Sequence, residues 1–172
     1  MTTYTLTTGN DTVVAPAGST VYGNAATLNP GDSLTGSGTD VLELVGAGSF
    51  DLSSLTNFSG FDKVELQNAG SQFAQLTLNG QPIEVDFTGY GEAFVSSPSN
   101  WNGNDVINGD TSLGFASTYI GFNSPTYGSQ TTYDLTSNTL TNIGTVAVSS
   151  YVTLKINSAD AYVSTGKASR YS

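Results

Sequence analysis

The residues of this sequence that are best suited to chemistry are aspartates that follow a glycine at a fixed distance. The pattern Gly-x-Asp-x-apolar occurs four times; its aspartates are Asp11, Asp40, Asp62 and Asp105, and its glycines are Gly9, Gly38, Gly60 and Gly103. A glycine lets the backbone turn so that a carbonyl oxygen faces inward, and an aspartate adds a carboxylate oxygen, the kind of ligand that calcium prefers. Because calcium takes about six to eight oxygens, each turn supplies only part of a site. We predict calcium at one or more of these aspartates, with an ordinary turn closed by the aspartate side chain as the alternative.

The sequence contains an internal repeat of about 20–22 residues, and a second set of acidic residues recurs with this period. When the sequence is moved along by one period, the run Leu42 to Leu44 falls on the run Val64 to Leu66, and a second period brings in Val85 to Phe87. In a strand, the outer residues of each run face one side and the middle residue faces the other. The middle residues are therefore predicted to form an outward acidic ladder of Glu43, Glu65 and Asp86. Neighbours in such a ladder lie about 4.8 Å apart, so it needs screening by water, salt or a cation; a solvated face is the simpler interpretation.

Strands must position these residues, and the sequence supplies short β-branched or aromatic runs instead of helical periodicity. Runs such as Thr12–Val14, Val41–Leu44, Ile83–Phe87 and Tyr151–Ile156 are separated by Gly, Asn, Asp, Ser and Pro, as is typical of strands joined by turns. The predicted fold class is all-β. The repeat favours a parallel β-solenoid, a β-helix or β-roll with about 20–22 residues per turn, and an antiparallel β-sandwich is the alternative.

The whole chain, residues 1–172, is predicted to form a single β domain. Residues 1–112 are the most repeat-like part. The segment DLTSNTLTNIGTVAV from Asp134 is similar to DLSSLTNFSGFDKVEL from Asp51, so we expect further strands in residues 134–165. Residues 121–134 lack apolar alternation, and residues 114–133 are predicted to be a long loop.

Charge and composition disfavour several function classes. The formal net charge is -10, from 14 acidic residues against 4 basic ones, so nucleic acids and anionic membranes are poor partners. The chain has no Cys and no His, which excludes thiol nucleophiles, Ser-His-Asp triads and imidazole-based metal sites. No apolar run reaches the roughly 20 residues of a transmembrane helix. We therefore expect no enzymatic activity; the remote alternative is a polysaccharide-degrading β-helix that uses paired carboxylates, such as Asp105 and Asp110 or the acidic ladder.

Aromatic residues of the second half are candidates for contact with sugars. Trp101, Tyr119 and Tyr127 lie near Phe122 and Tyr133 in the sequence, and flat aromatic faces suit sugar rings. In a β fold such residues more often fill the core or pair across strands. Sugar binding is therefore the second functional hypothesis.

One part of the sequence resembles a known family. The run Gly36-Ser-Gly38-Thr-Asp40-Val-Leu42-Glu43 is similar to the G-G-x-G-x-D-x-U-x repeat of the repeats-in-toxin (hemolysin-type) calcium-binding proteins, and TLTTGNDTVV and NGNDVINGD resemble partial copies. The run LNPGDSLTGSGTDVLEL resembles the Thr/Asn/Gly-rich segments of bacterial surface-layer proteins exported by type I secretion. The resemblance implies a right-handed parallel solenoid that calcium folds after export. It also implies an uncleaved C-terminal secretion signal, in line with a first segment that lacks the pattern of a cleaved one.

Together these features predict a secreted, calcium-binding structural protein of a bacterial cell surface, exported by a type I-like route. Exposed strand edges would pair with further copies of the chain and build a surface layer, matrix or filament. The alternative function is a calcium-dependent carbohydrate-binding or adhesin module whose partner is a cell-surface polysaccharide.

Overall fold

The structure is a computed structural model, and it describes residues 1–112 and 117–157. These residues form strands and two short 3₁₀ helices, Leu52–Ser54 and Pro98–Asn100. The strands are β1 (Thr3–Thr5), β2 (Thr12–Val14), β3 (Thr20–Asn24), β4 (Ser33–Val45), β5 (Gly48–Asp51), β6 (Asn57–Asn68), β7 (Ala74–Thr77), β8 (Glu84–Gly89), β9 (Gly91–Val95), β10 (Val106–Asn108), β11 (Thr118–Phe122), β12 (Thr131–Asp134), β13 (Thr139–Thr141), β14 (Thr145–Val148) and β15 (Val152–Lys155).

The strands stack into three parallel sheets that form the walls of a solenoid. Sheet A has the order β1-β3-β4-β6-β8-β10-β13, with β2 beside β4; sheet B has the order β14-β11-β9-β7-β5; sheet C is β12-β15. Every strand pairing among the described residues is parallel. Neighbouring strands therefore come from successive turns, about 6 in all. The predicted parallel β-solenoid is confirmed, and the antiparallel sandwich is excluded.

The predicted repeat is confirmed by the register of sheet A. Leu42 pairs with Val64 and Leu44 with Leu66, and Val64 in turn pairs with Val85. Successive partners follow one another at the period of the sequence repeat, as in the column of Thr20, Val41, Lys63, Glu84 and Val106.

The pairing of β4 with β6 departs from the sequence alignment around Asp40, where the register shifts both between Thr35 and Asp40 and between Asp40 and Val41. The alignment places Asp40 on Asp62, whereas Asp40 pairs with Phe61 and the next pair is Val41 with Lys63. Asp62 is thus an extra residue in β6, a bulge of the kind that bends a strand and leaves one residue unpaired. As a result Asp40 is buried while Asp62 is exposed.

The inward side chains of sheets A and B form one apolar core. The inward column of sheet A is completely buried and consists of Val21, Leu42, Val64, Val85 and Ile107. Where an aromatic ring needs room, a glycine faces it: a Cβ at Gly91 would overlap the ring of Phe87. The alternation of apolar and polar residues in each strand therefore fixes which side chains reach the outer face.

The predicted long loop at 114–133 is wrong over much of its length. Strand β11 pairs with β9 inside this range, and β12 pairs with β15. Residues 123–130 connect the two strands without regular structure. Strands β13, β14 and β15 lie where further strands were predicted, while residues 113–116 and 158–165 of these predictions are outside the described residues.

Candidate functional site

Asp40 is completely buried, and its carboxylate connects two turns of the solenoid. Its Oδ1 accepts a hydrogen bond from the Ser19 N–H of the preceding turn (2.7 Å), and its Oδ2 accepts from the N–H (2.5 Å) and the hydroxyl (2.7 Å) of Ser37. Burial alone would raise the pKa of Asp40, but the hydrogen bonds from Ser37 and Ser19 outweigh it and hold the pKa below its ordinary value. We call a side chain that bonds to the backbone of a neighbouring turn in this way a staple.

Asp105 is a staple of a later turn with fewer hydrogen bonds. Its Oδ1 accepts from the Ile83 N–H of the preceding turn (3.2 Å), and its Oδ2 accepts from the Asn102 N–H (2.9 Å). Burial raises the pKa of Asp105 to about 6, because these two hydrogen bonds do not outweigh the loss of water around the carboxylate.

Two further aspartates act as staples and were not predicted as site residues. Asp32 accepts from the N–H of Asp11 (2.8 Å), and Asp110 accepts from the N–H of Gly89 (2.6 Å), in each case one turn earlier in the chain. That offset is the signal that would have revealed them. Asp105 and Asp110, the carboxylates considered for hydrolysis, are thus both bonded to the backbone of a preceding turn.

Asparagines form staples with the donor and acceptor exchanged. The Nδ2 groups of Asn57, Asn79 and Asn100 donate to backbone carbonyls of the preceding turn, at distances of 2.7 to 3.1 Å. These staples were not predicted, because asparagines between strands are also typical turn residues. The abundance of Asn and Asp at the turns therefore has a structural function in addition to any binding function.

The other two aspartates of the motif lie nearer to solvent. Asp11 is half-buried and accepts from the N–H (2.7 Å) and the hydroxyl (3.1 Å) of Thr7, whereas Asp62 is exposed. The predicted turn glycines also divide into two kinds. Gly38 (φ 90) and Gly60 (φ 72) have left-handed backbone, where a side chain would be strained, while Gly9 and Gly103 do not.

The predicted calcium ligands do not converge on one centre. Within the described residues no group of three or more acidic side chains is placed to hold a metal ion. Asp40 and Asp105 are buried and accept N–H bonds on both carboxylate oxygens, whereas Asp11 and Asp62 have more access to solvent. Calcium binding at any of the four aspartates stays a prediction.

The acidic ladder forms on the outer face of sheet A in the predicted register. Glu43 pairs with Glu65, and Glu65 pairs with Asp86. In the preceding turn Tyr22 pairs with Glu43, and the negative charge of Glu43 raises the pKa of the Tyr22 hydroxyl. The acidic part of the column ends at Asp86: the next residue is Asn108, whose Nδ2 donates to Asp86 (2.8 Å), and Thr141 follows it.

Lys63 lies in the neighbouring column and offsets the charge of the ladder. Its Nζ is 2.6 Å from Asp86, 3.0 Å from Glu84 and 3.9 Å from Glu65. The hydrogen bond to Asp86 raises the pKa of Lys63 despite its partial burial. Burial would raise the pKa of Asp86, but its hydrogen bonds to Lys63 and Asn108 lower it. The ladder is therefore partly neutralised by the protein's own lysine.

The three aromatic residues predicted to contact sugar do not form one platform. Trp101 is 8% exposed; its ring packs on Phe122 (5.1 Å between centroids), and its Nε1 donates to the carbonyl of Asp134. Trp101 is thus a core residue, and its prediction as a surface contact is wrong. Tyr119 is half-buried and pairs with Phe73, while Tyr127 is exposed.

A groove follows the corner between sheets A and B across successive turns. It is lined by residues 45–47, 67–72 and 88–90, with Asp110 and Ser112 at one end. We call it the corner groove. Tyr90 lines it and makes an edge contact with Phe73, whose ring also contacts Tyr119 (5.2 Å). Tyr119 therefore belongs to an aromatic cluster with Phe73 and Tyr90 at the border of the groove.

The part of the chain that the structure describes contains no helix long and apolar enough to cross a membrane. No family model matches this chain, and no curated protein or solved structure matches it at a significant level.

Proposed function

We propose that this protein is a secreted structural protein that self-assembles end to end into an extracellular filament, layer or matrix. The observation that carries the proposal is the state of the strands at the two ends. Among the described residues, β1 pairs with β3 alone, and β13, β14 and β15 each have a neighbour on one side only. The unpaired edge of a sheet is a template for a strand of another chain.

The last turn also presents apolar surface that a second copy would cover. Leu140, Val146 and Leu154 are half-buried and pack on the core. Each stacks on a residue that is almost completely buried: Leu140 on Ile107, Val146 on Ile120 and Leu154 on Tyr133. Covering this turn as the earlier turns are covered would remove apolar area from water and favour association.

The two end strands of sheet A are complementary to each other. Strand β1 reads Thr-Tyr-Thr and β13 reads Thr-Leu-Thr, and neither carries a charge. If β1 of one copy paired with β13 of the next, Tyr4 would stack on Leu140 and threonines would pair with threonines, which is favourable across strands. Because the two surfaces differ, each added copy exposes a new end, and a head-to-tail contact of this kind gives an open filament.

Calcium and export remain parts of the proposal that rest on the sequence. The acidic, cysteine-free composition and the resemblance to exported repeat proteins support an extracellular location. Calcium would bind at Asp11 and Asp62, with water or a neighbouring copy completing a ligand set of about six to eight oxygens. Light scattering in a chelator and again after calcium addition separates assembly that needs calcium from assembly that does not.

A proline variant tests the end contact. The Leu6 N–H and the Thr2 carbonyl bond to β3, so by the alternation of a parallel strand the N–H groups of Thr3 and Thr5 face the free edge. Thr5→Pro removes one of these free donors and spares the bonds to β3, whereas the control Thr5→Ala keeps the donor.

We expect elongated particles of the wild type and of Thr5→Ala in electron microscopy and light scattering. Thr5→Pro, with an unchanged circular dichroism spectrum, should give mostly monomers. A wild type that stays monomeric at high concentration, with or without calcium, contradicts self-assembly. A Thr5→Pro protein that assembles like the wild type contradicts the end contact.

A further inference from the structure

We propose that the corner groove binds an uncharged linear polysaccharide, which lies along the solenoid axis with a sugar ring against the cluster of Phe73, Tyr90 and Tyr119. This site is separate from the end contact, because the groove follows the corners of the middle turns. Its ligand is expected to bind whether or not the protein assembles.

The shape of the groove suits an extended sugar chain. Its volume is about 820 Å³, within the range of small-molecule and oligosaccharide sites. At the corner, Gly89 has a φ of 90°, and a Cβ there would overlap the Asn68 carbonyl. The turns therefore stack closely, and their spacing of about 4.8 Å is close to the repeat of an extended chain of pyranose rings.

Three polar side chains of the groove are open to solvent and available to a ligand. Gln67, Gln72 and Thr88 line the groove and are exposed. Their side chains make no hydrogen bond with any residue that the structure describes. Gln67 and Thr88 are paired in register across β6 and β8, so they present an amide and a hydroxyl at the spacing of neighbouring turns. Sugar hydroxyls donate and accept hydrogen bonds and suit both groups.

Hydrogen bonds of Asn68 hold the wall of the groove in place. Asn68 is buried, and its Nδ2 donates to the carbonyls of Gln72 (2.5 Å) and Tyr90 (2.8 Å), while its Oδ1 accepts from the Gly70 N–H (3.1 Å). The corner loop and the next turn are thereby fixed to each other. A preformed site loses less conformational entropy when a ligand binds.

An aromatic cluster lies beside the groove. The ring of Phe73 is 36% exposed and contacts Tyr90 and Tyr119 edge-on, with centroid distances of 5.8 and 5.2 Å. The two contacts support the ring, and the exposed part of Phe73 is available for the C–H groups of a sugar. An aromatic face beside unpaired amides is the combination that a carbohydrate recognises.

The charge of the groove selects an uncharged ligand. Asp110 is the one carboxylate among the lining residues, and it accepts N–H bonds from Ser112 and Gly89, both 2.6 Å. No lysine or arginine is among the described residues that line the groove. The net charge of the chain is -10, so an anionic polysaccharide would be repelled and would find no cationic partner.

Isothermal titration calorimetry with cellohexaose, maltohexaose and xylohexaose tests the proposal, and oligogalacturonate serves as the charged comparison. We expect at least one of the three uncharged oligosaccharides to bind. Phe73→Ala should weaken that binding about tenfold, and Gln72→Ala should weaken it about threefold. Tyr151→Ala removes an exposed aromatic ring that pairs with Tyr127 outside the groove, and it should leave the affinity unchanged.

Three results would overturn the proposal. The first is that none of the uncharged oligosaccharides binds. The second is that Tyr151→Ala weakens binding as much as Phe73→Ala does, and the third is that oligogalacturonate binds as tightly as the best uncharged ligand. Since Phe73 and Gln72 are both exposed, the variants are expected to fold, which circular dichroism checks.

Discussion

We compare the middle turns of the solenoid, residues 20–112, with its last turns, residues 117–157. Strands pair in parallel with the next turn in both regions, but the number of residues between paired strands differs. In the middle, partners in sheet A are separated by one short turn, as in Val41 and Lys63, whereas a clearly longer stretch of chain separates Val106 from its partner Thr139. The additional chain forms β12 and a third wall. Tyr133 from this wall packs on Phe122 (5.1 Å between centroids). The comparison teaches that a solenoid accommodates a longer turn by adding a strand and filling the wider interior with aromatic rings.

The two regions also differ in how completely they are covered. Each middle strand of sheet A has a neighbour on both sides, while β13, β14 and β15 have one among the described residues. In a repeat protein, stability is roughly a sum over turns and the contacts between neighbouring turns. The last turns should therefore open at lower free energy than the middle turns.

Truncating one leucine in each region should give the largest difference. Leu66 is 1% exposed in the middle of sheet A, and Leu154 is half-buried in β15. Leu66→Ala removes fully packed atoms and should lower the free energy of unfolding by about 3 kcal/mol. Leu154→Ala should lower it by about 1 kcal/mol, because much of its surface already contacts water. Urea denaturation followed by circular dichroism measures both, and equal losses would show that the last turns are as well covered as the middle ones.

Replacing the two buried aspartates by asparagine compares the staples of the two regions. Asp40→Asn keeps one acceptor oxygen and turns an NH₂ group toward the donors of Ser19 or Ser37. We expect a loss of about 2 kcal/mol in the free energy of unfolding. Asp105→Asn should cost less than half of that, because a neutral amide is easier to bury than the charged carboxylate. Thermal unfolding at pH 7 ranks the two variants, and a greater loss for Asp105→Asn would contradict this account.

The same two aspartates should respond to acid in opposite ways. The pKa of Asp105 is about 6 in the folded protein, above its ordinary value of 3.8, so between these values the folded state binds a proton that the unfolded state does not. Acidification from pH 7 to about pH 5 should therefore stabilise the structure around Asp105. The pKa of Asp40 is below its ordinary value, so its contribution is present above that value and is lost as the pH falls further toward its folded pKa.

Hydrogen exchange at two amides reads these responses separately. The Ile83 N–H bonds to Asp105, and the Ser19 N–H bonds to Asp40. After correction for the intrinsic exchange rate, protection at Ile83 should rise between pH 7 and about pH 5, and Asp105→Asn should abolish the rise. Protection at Ser19 should stay constant over that interval and decrease below about pH 4. Parallel changes at both amides would indicate a global effect of acid instead.

The sequence predicted the fold where polar and apolar residues alternate clearly. The register of Leu42, Val64 and Val85 follows from such alternation and is found in the sheet. Strand β12 was missed because a polar residue, Thr131, occupies an inward position and is 8% exposed. Its apolar alternation is thus reduced to Tyr133, too little to distinguish a strand from a loop.

The sequence predicted the acidic ladder, but neither Phe73 and Tyr90 beside the groove nor the staples between turns. The acidic ladder follows from the register of the sequence repeat alone. The bulge at Asp62 depends on one extra residue in β6, and an alignment of imperfect repeats does not show where in the strand that extra residue lies. Phe73 and Tyr119 are far apart in the sequence, and their contact depends on how two turns stack at a corner. Staples and groove walls depend on neighbouring turns in the same way and become visible only once the stacking is known.

Neutralising one lysine in each region should give the smallest difference in the free energy of unfolding. The comparison shows which of the two ion pairs contributes to stability. Lys63 contacts Asp86 (2.6 Å) and Glu84 (3.0 Å) with 25% of its side chain exposed, whereas Lys155 is 63% exposed and 3.6 Å from Asp134. Lys63→Gln leaves the acidic ladder without its cation and should lower the free energy of unfolding by about 1 kcal/mol.

The control Lys155→Gln should change the free energy of unfolding by less than about 0.3 kcal/mol, because one exposed ion pair is already screened by solvent. Since repulsion along the ladder is electrostatic, about 1 M NaCl should restore part of the loss in Lys63→Gln and leave Lys155→Gln unchanged. If calcium binds beside the ladder, millimolar calcium at constant ionic strength should restore Lys63→Gln more than sodium does, because a divalent ion offsets two carboxylates at once. Equal losses in the two variants, or a loss in Lys63→Gln that no salt relieves, would mean that Lys63 acts through packing of its aliphatic chain and that the ladder is an ordinary solvated face.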